Sequence, residues 1–240
     1  MSVSDLSFFL STSHECNYLE GHEAASLVAD PTIRLETSAY SELIQLGFRR
    51  SGGMAYRPHC GACQACIAIR IPVVSFHPSR GQRRIWKKND DLECSSLPFG
   101  FYEEHYQLYQ RYQSTRHTGS SMDIDDRDKY MSFFAADGLE TRVVEYRHEE
   151  NLVCVAIIDW LPAGLSSMYT FFDPELKSRG LGVYAILWQI MKAREIGLPH
   201  VYLGYWIENC IKMSYKTGYR PHELFLRQQW HLMNMVHHTE

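Results

Sequence analysis

The chain has 240 residues, with 24 Lys or Arg, 28 Asp or Glu and 45% hydrophobic residues, which is typical of a globular protein of one large or two small domains. Its longest apolar run, residues 153–158, is far shorter than the roughly 20 residues of a membrane-spanning helix, and residues 6–10 are too short and lack the preceding basic residue of a signal peptide. We therefore expect a cytosolic protein without a membrane anchor, whose 7 cysteines are thiols or metal ligands rather than disulfides.

The positive charge is concentrated in one segment of the chain. Residues 49–88 contain nine Lys or Arg and no Asp or Glu, whereas the other 200 residues contain 15 basic residues against 28 acidic ones. Such a segment repels itself unless negative charge lies against it, and phosphates are the usual partner. The acidic remainder of the fold is the alternative partner. Because soluble surfaces ordinarily mix both signs, we favour a polyanionic ligand.

The N-terminal part of the sequence predicts one helix and two stretches of strand. Residues 37–46 have apolar side chains at helical spacing after Thr37 or Ser38 as a cap. Residues 48–56 predict a strand or hairpin broken at Gly52–Gly53. Residues 67–74 predict a strand that Pro72 either ends early or confines to a sheet edge.

Composition changes after Asp90, and residues 95–98 are the best candidate boundary, which gives regions 1–95 and 96–240. The second region predicts helices at 103–112 and from 123 through 134, and paired strands at 142–146 and 152–160. It then alternates strand 167–172, helix 182–196, strand 201–206, a short helix 209–217 and strand 223–227. This order predicts an α+β sheet with one βαβ crossover, joined to a smaller, basic, cysteine-containing N-terminal region.

A glycine-containing turn, Lys177-Ser178-Arg179-Gly180-Leu181-Gly182, precedes the helix predicted at 182–196. Backbone N–H groups at a helix N-terminus suit phosphate binding, and Lys177 and Arg179 add positive charge. The order of elements over roughly the last 100 residues resembles that of the GNAT-like acyltransferases, with a strand, a glycine turn, a helix, a strand and a short Tyr-bearing helix. Lys177 stands where that family has Arg or Gln, and the segment from Asn209 to Gly218-Tyr219 is shorter than the usual spacing.

Three cysteines, Cys60, Cys63 and Cys66, follow each other at two-residue gaps, which suits a zinc ion or an iron–sulfur cluster. Cys16 is the best candidate for a fourth ligand. His14, His22 and His59 are the other candidates. The alternative is that the cysteines simply pack in a small domain.

Six segments together resemble the aminoacyl-tRNA–protein transferases of the arginyltransferase family. In the N-terminal half they are CNYL at 16–19, FRRSGGMAYRPHC at 48–60 and CQACIAIRIPVVSFHPSRGQRR at 63–84. In the C-terminal half they are LYQRYQSTRH at 108–117, MYTFFDP at 168–174 and YLGYWIENCIKMSYKTGYRP at 202–221. The short length and the HCxxCxxC form resemble the bacterial branch.

This resemblance implies transfer of leucine from leucyl-tRNA to proteins with N-terminal Asp or Glu, whose product is a degradation signal (an N-degron). It implies no cofactor for the transfer itself. Glu208 is our candidate for accepting the amine proton, and Tyr215 takes roughly the place of the GNAT general acid. Tyr169 and Asp173 lie where the acceptor amine is expected. Arg116 and His117, within the family motif, are expected near the site.

The remaining candidates are cations, because the acceptor side chain and the tRNA are both anionic. For the acidic side chain of the acceptor they are Arg49, Arg50, Arg57, Arg70, Lys212 and Lys216. For the donor they are Lys177 and Arg179, with Gly180 and Gly182 in the turn. For the tRNA backbone they are Arg80, Arg83, Arg84, Lys87 and Lys88.

Three alternatives stay open at this point. An arginyl donor fits the same family, since no residue selects leucine. An acyl-CoA-dependent GNAT enzyme would bind its donor at residues 177–182 and would not need the basic segment. A non-catalytic RNA-binding module with zinc or an iron–sulfur cluster would explain the charge and the cysteines, but not the GNAT-like half.

Overall fold

The computed structural model describes residues 3–116 and 125–233. The strands are β1 (Phe8–Leu10), β2 (His14–Glu15), β3 (Glu23–Ala24), β4 (Ser26–Ala29), β5 (Arg49–Ser51), β6 (Met54–Pro58), β7 (Ile67–Pro72), β8 (Glu93–Pro98), β9 (Thr141–His148), β10 (Asn151–Leu161), β11 (Gly164–Phe172), β12 (His200–Trp206), β13 (His222–Leu226) and β14 (Gln229–Met233). The α-helices are α1 (Thr37–Gln45), α2 (Arg80–Lys88), α3 (Glu103–Arg116), α4 (Arg127–Phe134) and α5 (Leu181–Glu195). Short 3-10 helices cover Val3–Asp5, Pro174–Arg179 and Ile211–Gly218. The motif residue His117 and the predicted helix start at Asp123 lie outside the described residues.

One large sheet organises the described part of the chain, with its strands in the order β14-β13-β7-β12-β11-β10-β9-β8. Neighbouring strands are antiparallel except β11 and β12, which are parallel and are connected through α5. A parallel pair needs such a crossover, because a tight turn can join only antiparallel strands. The arrangement confirms the predicted α+β class and the GNAT-like order of strand, helix and strand.

Alternation along β10 places its side chains in two cores, one on each face of the sheet. Ala156 and Ile158 pack in the core that contains α5, whereas Val155 and Ile157 pack in an aromatic core against α3 and α4. Helix α5 begins directly after Gly180, which has φ 67°, a left-handed conformation that glycine adopts without steric cost. The large sheet is therefore buried on both faces along its centre.

The N-terminal region forms a smaller sheet in the order β1-β4-β6-β5, covered by α1. Tyr40, Leu43 and Phe48 share a core with Leu161 and Tyr202 of the large sheet. The predicted hairpin at 48–56 is confirmed as β5 and β6, joined at Gly52–Gly53. The small sheet therefore packs directly against the large one.

The two halves of the chain share the large sheet. Strand β7, from region 1–95, lies between β12 and β13, and the boundary predicted at residues 95–98 falls inside β8. The predicted edge position of β7 is wrong, because Pro72 sits at the end of the strand, where the missing N–H costs little. The alternative prediction, that Pro72 ends the strand, is confirmed.

No helix among residues 3–116 and 125–233 is both long and apolar enough to cross a membrane.

Candidate functional site

The parallel strands β11 and β12 pair only at Leu165 with Val201 and at Ser166 with Tyr202, and then separate. Each strand has a register irregularity within two residues of its last pair, at Met168 in β11 and at Leu203 in β12. A bulge bends and twists its strand, so two bulges at the same level open the sheet. We call the opening between the two strands beyond these residues the strand gap.

The guanidinium of Arg49, at the start of β5, enters the strand gap. Its Nη2 donates to the carbonyl oxygens of Ser167 at 3.2 Å and Met168 at 3.4 Å, on the open edge of β11. Across the gap, a Cβ on Gly204 would lie 2.5 Å from Arg49 Nη1, so only glycine leaves room for the guanidinium at that position. Nη1 itself is buried and has no hydrogen-bond partner in the described part of the chain.

Arg50, the next residue along β5, is enclosed in a complete network on the other side of the strand. Its Nε and Nη2 donate to the two oxygens of Asp159 at 2.8 and 2.6 Å, and Nη2 also donates to the Thr141 hydroxyl at 3.1 Å. Nη1 donates to the carbonyl oxygens of Gly52 and Phe134. All five guanidinium donors are used and the residue is 3% exposed, so in this arrangement Arg50 has no donor left for the predicted substrate.

Lys216 lies beneath the same opening as Arg49. It is 9% exposed, and its Nζ donates to the carbonyl oxygen of Tyr205 at 2.5 Å. Burial, followed by the positive charge of Arg49, lowers the pKa of the Lys216 amine to about 7. Tyr205 also donates from its hydroxyl to the carbonyl oxygens of Gly47 and Tyr56, which ties β12 to the turn before β5 and to β6.

The two tyrosines that the sequence places in the reaction come close together. Tyr169 lies on β11, and its hydroxyl accepts a hydrogen bond from Gln113 Nε2 at 2.9 Å. Tyr215, on the 3-10 helix Ile211–Gly218, is 50% exposed. Burial raises the pKa of Tyr215, and Arg49 lowers it. Burial also raises the pKa of Tyr169, against the hydrogen bond from Gln113, and Tyr215 adds slightly to that rise. Both phenols therefore border the strand gap and are protonated at neutral pH.

The two carboxylates predicted for the reaction lie in a turn and at a helix cap. Glu208 is exposed in the turn after β12. Asp173 caps the 3-10 helix Pro174–Arg179, where its Oδ1 accepts from the backbone N–H of Glu175 at 2.9 Å. Asp173 also lines an open cleft of about 610 Å³ together with Arg111 and Lys177.

The other cations proposed for the acceptor have partners of their own or are exposed. Arg57 donates to the carbonyl oxygen of Leu46, and its guanidinium lies 5.0 Å from the centre of the Phe48 ring. Arg70 pairs with Glu223, at 2.5 Å, and lies 4.2 Å from the centre of the Trp230 ring. Lys212 is exposed. Of the six cations predicted to recognise the acceptor, Arg49 and Lys216 are therefore the two that meet inside the protein beside the strand gap.

Helix α2, which carries the predicted tRNA-binding cations, is docked on the glycine turn. A Cβ on Gly180 would lie 3.2 Å from Ile85 Cδ1, and Lys88 Nζ donates to the Ser178 carbonyl oxygen at 2.6 Å. Arg179 forms a bidentate ion pair with Asp91, with both distances at 2.8 Å. The cations that face solvent from α2 are Arg80, Arg83, Arg84 and Lys87. Gly182 of the predicted donor turn packs against Phe172. The turn and this basic helix therefore form one continuous surface.

The predicted metal ligands are near one another. Burial, and then the neighbouring thiols of Cys60, Cys16 and Cys63, raise the pKa of Cys66 to about 11, and Cys210 adds to the effect. No three His, Cys, Asp or Glu side chains in the described part of the chain converge in a way that could hold a metal ion. The donor set thus has the right chemistry without the geometry of a closed site, and a zinc or iron–sulfur site stays a prediction.

Sequence reasoning missed three residues of this site. Gly204 interrupts the β12 run YLGYW, and a glycine inside a strand is a known signal of a bulge or a close backbone approach. Gln113, buried in α3 and bonded to Tyr169, lies within the family motif at 108–117. Cys210 is separated from the cysteine run by most of the chain, and no local pattern indicates that it lies near Cys66.

Comparison with known proteins places the chain in a family. Residues 14–84 match the model described as the N terminus of arginine-tRNA-protein transferase, and residues 104–226 match the model of its C terminus. The aspartate/glutamate leucyltransferase of Chromobacterium violaceum is 45% identical over 231 residues, covering 96% of this chain and 96% of that protein. The protein of the same name from Pseudomonas aeruginosa is 48% identical over 228 residues, covering 95% of this chain and 97% of that one.

Solved structures give more distant likenesses. The structure of L-PGS from Bacillus licheniformis has a TM-score of 0.48 and 11% identity, covering 89% of this chain and 72% of that one. The crystal structure of FemX has a TM-score of 0.47 and 8% identity, covering 89% of this chain and 83% of that one. Family membership rests instead on the two sequence matches and on the relatives of nearly equal length, and by these the chain belongs to the arginine-tRNA-protein transferase family.

Proposed function

We propose that this protein transfers leucine from leucyl-tRNA to the α-amine of proteins whose first residue is Asp or Glu. The observation that carries the proposal is the 45–48% identity, over nearly the whole chain, to proteins named aspartate/glutamate leucyltransferase. The family resemblance further implies that the reaction takes place in the cytoplasm and that the product is a degradation signal.

The solvent-facing cations of α2 support an aminoacyl-tRNA as donor. Arg80, Arg83, Arg84 and Lys87 are all exposed on one short helix beside the glycine turn. Cations in such a row can neutralise several phosphates of one nucleic-acid backbone. The cleft of about 610 Å³ lined by Arg111, Asp173 and Lys177 lies beside this turn and is a suitable place for the 3′ end of the tRNA.

The reaction itself is an acyl transfer from an ester to an amine. The α-amine attacks the ester carbonyl carbon, a C–N amide bond forms, and the C–O bond to the terminal ribose breaks. The amine loses a proton and the ribose oxygen gains one. A free α-amine has a pKa of about 8, so the uncharged nucleophile is a minor but available fraction at neutral pH, and a modest base is enough.

The bordering phenol of Tyr215 suits the second proton transfer. Because the pKa of Tyr215 is raised, this group holds its proton until the ribose oxygen leaves. Tyr169, fixed by Gln113, is positioned to orient the reacting groups on β11. Glu208 is the candidate acceptor of the amine proton, since it is accessible to solvent next to the end of β12. Positioning then supplies most of the rate.

A transfer assay with the purified chain tests the proposal. It uses tRNA charged with radiolabelled leucine or, separately, arginine, and peptides that begin with Asp, Glu, Ala or Lys. We expect leucine on the Asp and Glu peptides alone. Arginine transfer instead would keep the family and change the donor. No transfer from either tRNA, with acetyl-CoA consumed on an amine, would favour the acyl-CoA alternative.

A further inference from the structure

Arg49 differs from the arginines around it because part of its hydrogen-bonding capacity is unused. Nη2 is engaged by the Ser167 and Met168 carbonyl oxygens, whereas Nη1 is buried without a partner. In the described part of the chain no carboxylate pairs with Arg49, although Arg50 and Arg70 each have one. A buried guanidinium N–H group without a hydrogen-bond partner is an unfavourable arrangement that needs an explanation.

A second basic side chain, that of Lys216, lies beside Arg49 and makes the same place more favourable for an anion. Lys216 is buried beside Arg49, and the hydrogen bond that the structure gives its Nζ goes to a neutral backbone carbonyl, that of Tyr205. When the Lys216 amine is protonated its charge and that of Arg49 repel each other, and a shared carboxylate would stabilise both charges.

We infer that Arg49, supported by Lys216, binds the side-chain carboxylate of the acceptor's first residue in the strand gap. The inference rests on the proposed function, in which that residue is Asp or Glu. In aspartate the α-amine and the carboxyl group are attached to neighbouring carbons. A carboxylate held at Arg49 therefore keeps the amine close to Tyr215, the phenol whose pKa Arg49 itself influences.

Binding of the carboxylate at Arg49 also accounts for discrimination against acceptor proteins with other first residues. A neutral side chain would leave Nη1 of Arg49 unpaired, and a basic one would add a third cation to the enclosure. Because Nη1 of Arg49 is buried in the free chain, side chains around it must move aside before a carboxylate can reach it. Tyr18 and Tyr215 lie within electrostatic range of Arg49, and each is 50% exposed, which leaves them room to move.

The test compares peptides that differ only in the carboxylate, beginning with Asp or Asn and with Glu or Gln. In Arg49→Gln we expect kcat/KM for leucyl transfer to the Asp peptide to fall by about 100-fold, the usual order when a charge-assisted hydrogen bond is removed, while the Asn peptide changes by less than about threefold. The matched control is Arg142→Gln, a half-exposed arginine paired with Glu140, which should keep the wild-type ratio of Asp to Asn transfer. Thermal unfolding confirms that each variant is folded.

Arg49→Lys provides a second variant, because an ammonium can still donate to the Ser167 and Met168 carbonyl oxygens but lacks the two-pronged guanidinium. It should retain the fold and lose roughly tenfold in the Asp to Asn ratio. An unchanged ratio in folded Arg49→Gln or Arg49→Lys, or an equal loss for both peptides, would overturn the inference.

Binding of the same peptides without tRNA, measured by titration calorimetry, separates this inference from the proposed function. If the wild type transfers leucine and the Asp preference persists in Arg49→Gln, the proposed function holds and the recognition role of Arg49 is wrong. Binding of Asp over Asn peptides that depends on Arg49, with no leucyl transfer, would sustain the recognition site and reject the function. Absence of any Asp preference in wild-type binding and transfer would reject the recognition site.

Discussion

Strand β5 and helix α2 hold the cations of the basic segment in opposite ways. The two arginines of β5 are enclosed, Arg50 in a saturated ion-pair network and Arg49 in the strand gap with Nη1 unpaired. The helix presents Arg83 and Arg84 to solvent. An enclosed cation needs a partner of fixed geometry, whereas an exposed cation suits an extended polyanion that moves along the surface. Both elements contain a pair of adjacent arginines, and burial decides what each cation can bind.

The largest effect that this comparison predicts is on stability at Arg50. Arg50→Met leaves the Asp159 carboxylate buried without its partner, so we expect the free energy of unfolding to fall by about 3–5 kcal/mol. Urea unfolding followed by circular dichroism measures the change. The neighbouring Arg49→Gln should cost far less, on the order of 1 kcal/mol, because an amide can still donate to a carbonyl oxygen of β11. Similar losses for the two variants would remove the distinction between the enclosed network and the strand gap.

A smaller effect is expected from closing the space that the Arg49 guanidinium occupies. Gly204→Ala places a Cβ 2.5 Å from Arg49 Nη1 and at φ 80°, so the guanidinium must shift. We expect kcat/KM for Asp peptides to fall by up to about 100-fold, since a misplacement of the order of an ångström costs that much in a positioned site. Gly53→Ala is the matched control, because its Cβ would meet open space and its backbone is unstrained. A variant at Gly204 that folds and keeps the wild-type Asp preference would contradict the position given to Arg49.

Much of the fold was predictable from the sequence. Helix α1, the hairpin of β5 and β6, the β11–α5–β12 crossover and its glycine turn follow from apolar periodicity and turn residues, which act locally. The position of β7 in the sheet was not predictable, because the neighbours of a strand depend on pairing across more than a hundred residues, for example between Ile69 and Leu224. The same long-range pairing is why a boundary at residues 95–98 does not separate the strands into two sheets.

The site was predictable as residue types but not as an arrangement. Sequence reasoning names Arg49 and Arg50 together, and alternation along a strand then puts them on opposite faces with opposite surroundings. The partner of Arg50, Asp159, lies on β10, far along the chain and directly after the apolar run 153–158. Which cation is saturated and which is not depends on such partners, and no local pattern indicates them.

On the exposed side of the comparison, Arg83→Ala with Arg84→Ala should weaken binding of leucyl-tRNA without changing stability. Removing one phosphate-binding cation lowers the slope of log affinity against log salt by about 1, so we expect the slope to fall by about 2 for the pair. Filter binding of leucyl-tRNA at several salt concentrations measures it. The matched control is Arg127→Ala with Arg142→Ala, two arginines of other elements that pair with Glu103 and Glu140. If both pairs of substitutions lower the slope equally, the effect belongs to net charge and not to α2.

The smallest effect is expected where α2 is fastened to the glycine turn. Two hydrogen bonds from Arg179, each at 2.8 Å, lower the pKa of Asp91 from 3.8 to about 2. A carboxyl group whose pKa is lower in the folded state stabilises the fold above its unfolded pKa, and this contribution disappears as the pH falls through about 2. Since the Asp91 side chain is 42% exposed, solvent screens the pair and Asp91→Asn should cost less than about 1 kcal/mol at pH 6.

The pH dependence distinguishes this ion pair from simple packing between α2 and the turn. Thermal unfolding of the wild type and of Asp91→Asn should differ most near neutral pH. The difference should shrink as the pH falls below 3.8, where the unfolded chain binds a proton that folded Asp91 still excludes, and it should disappear by about pH 2. Asp90→Asn, one residue earlier and exposed, serves as the control for the loss of a negative charge next to α2. A difference that stays constant from neutral to acid pH would mean that the asparagine disturbs packing around Ile85 and Gly180, since packing does not titrate. A difference that vanishes with acid would mean that the contact between the basic helix and the glycine turn depends on the charge of Asp91.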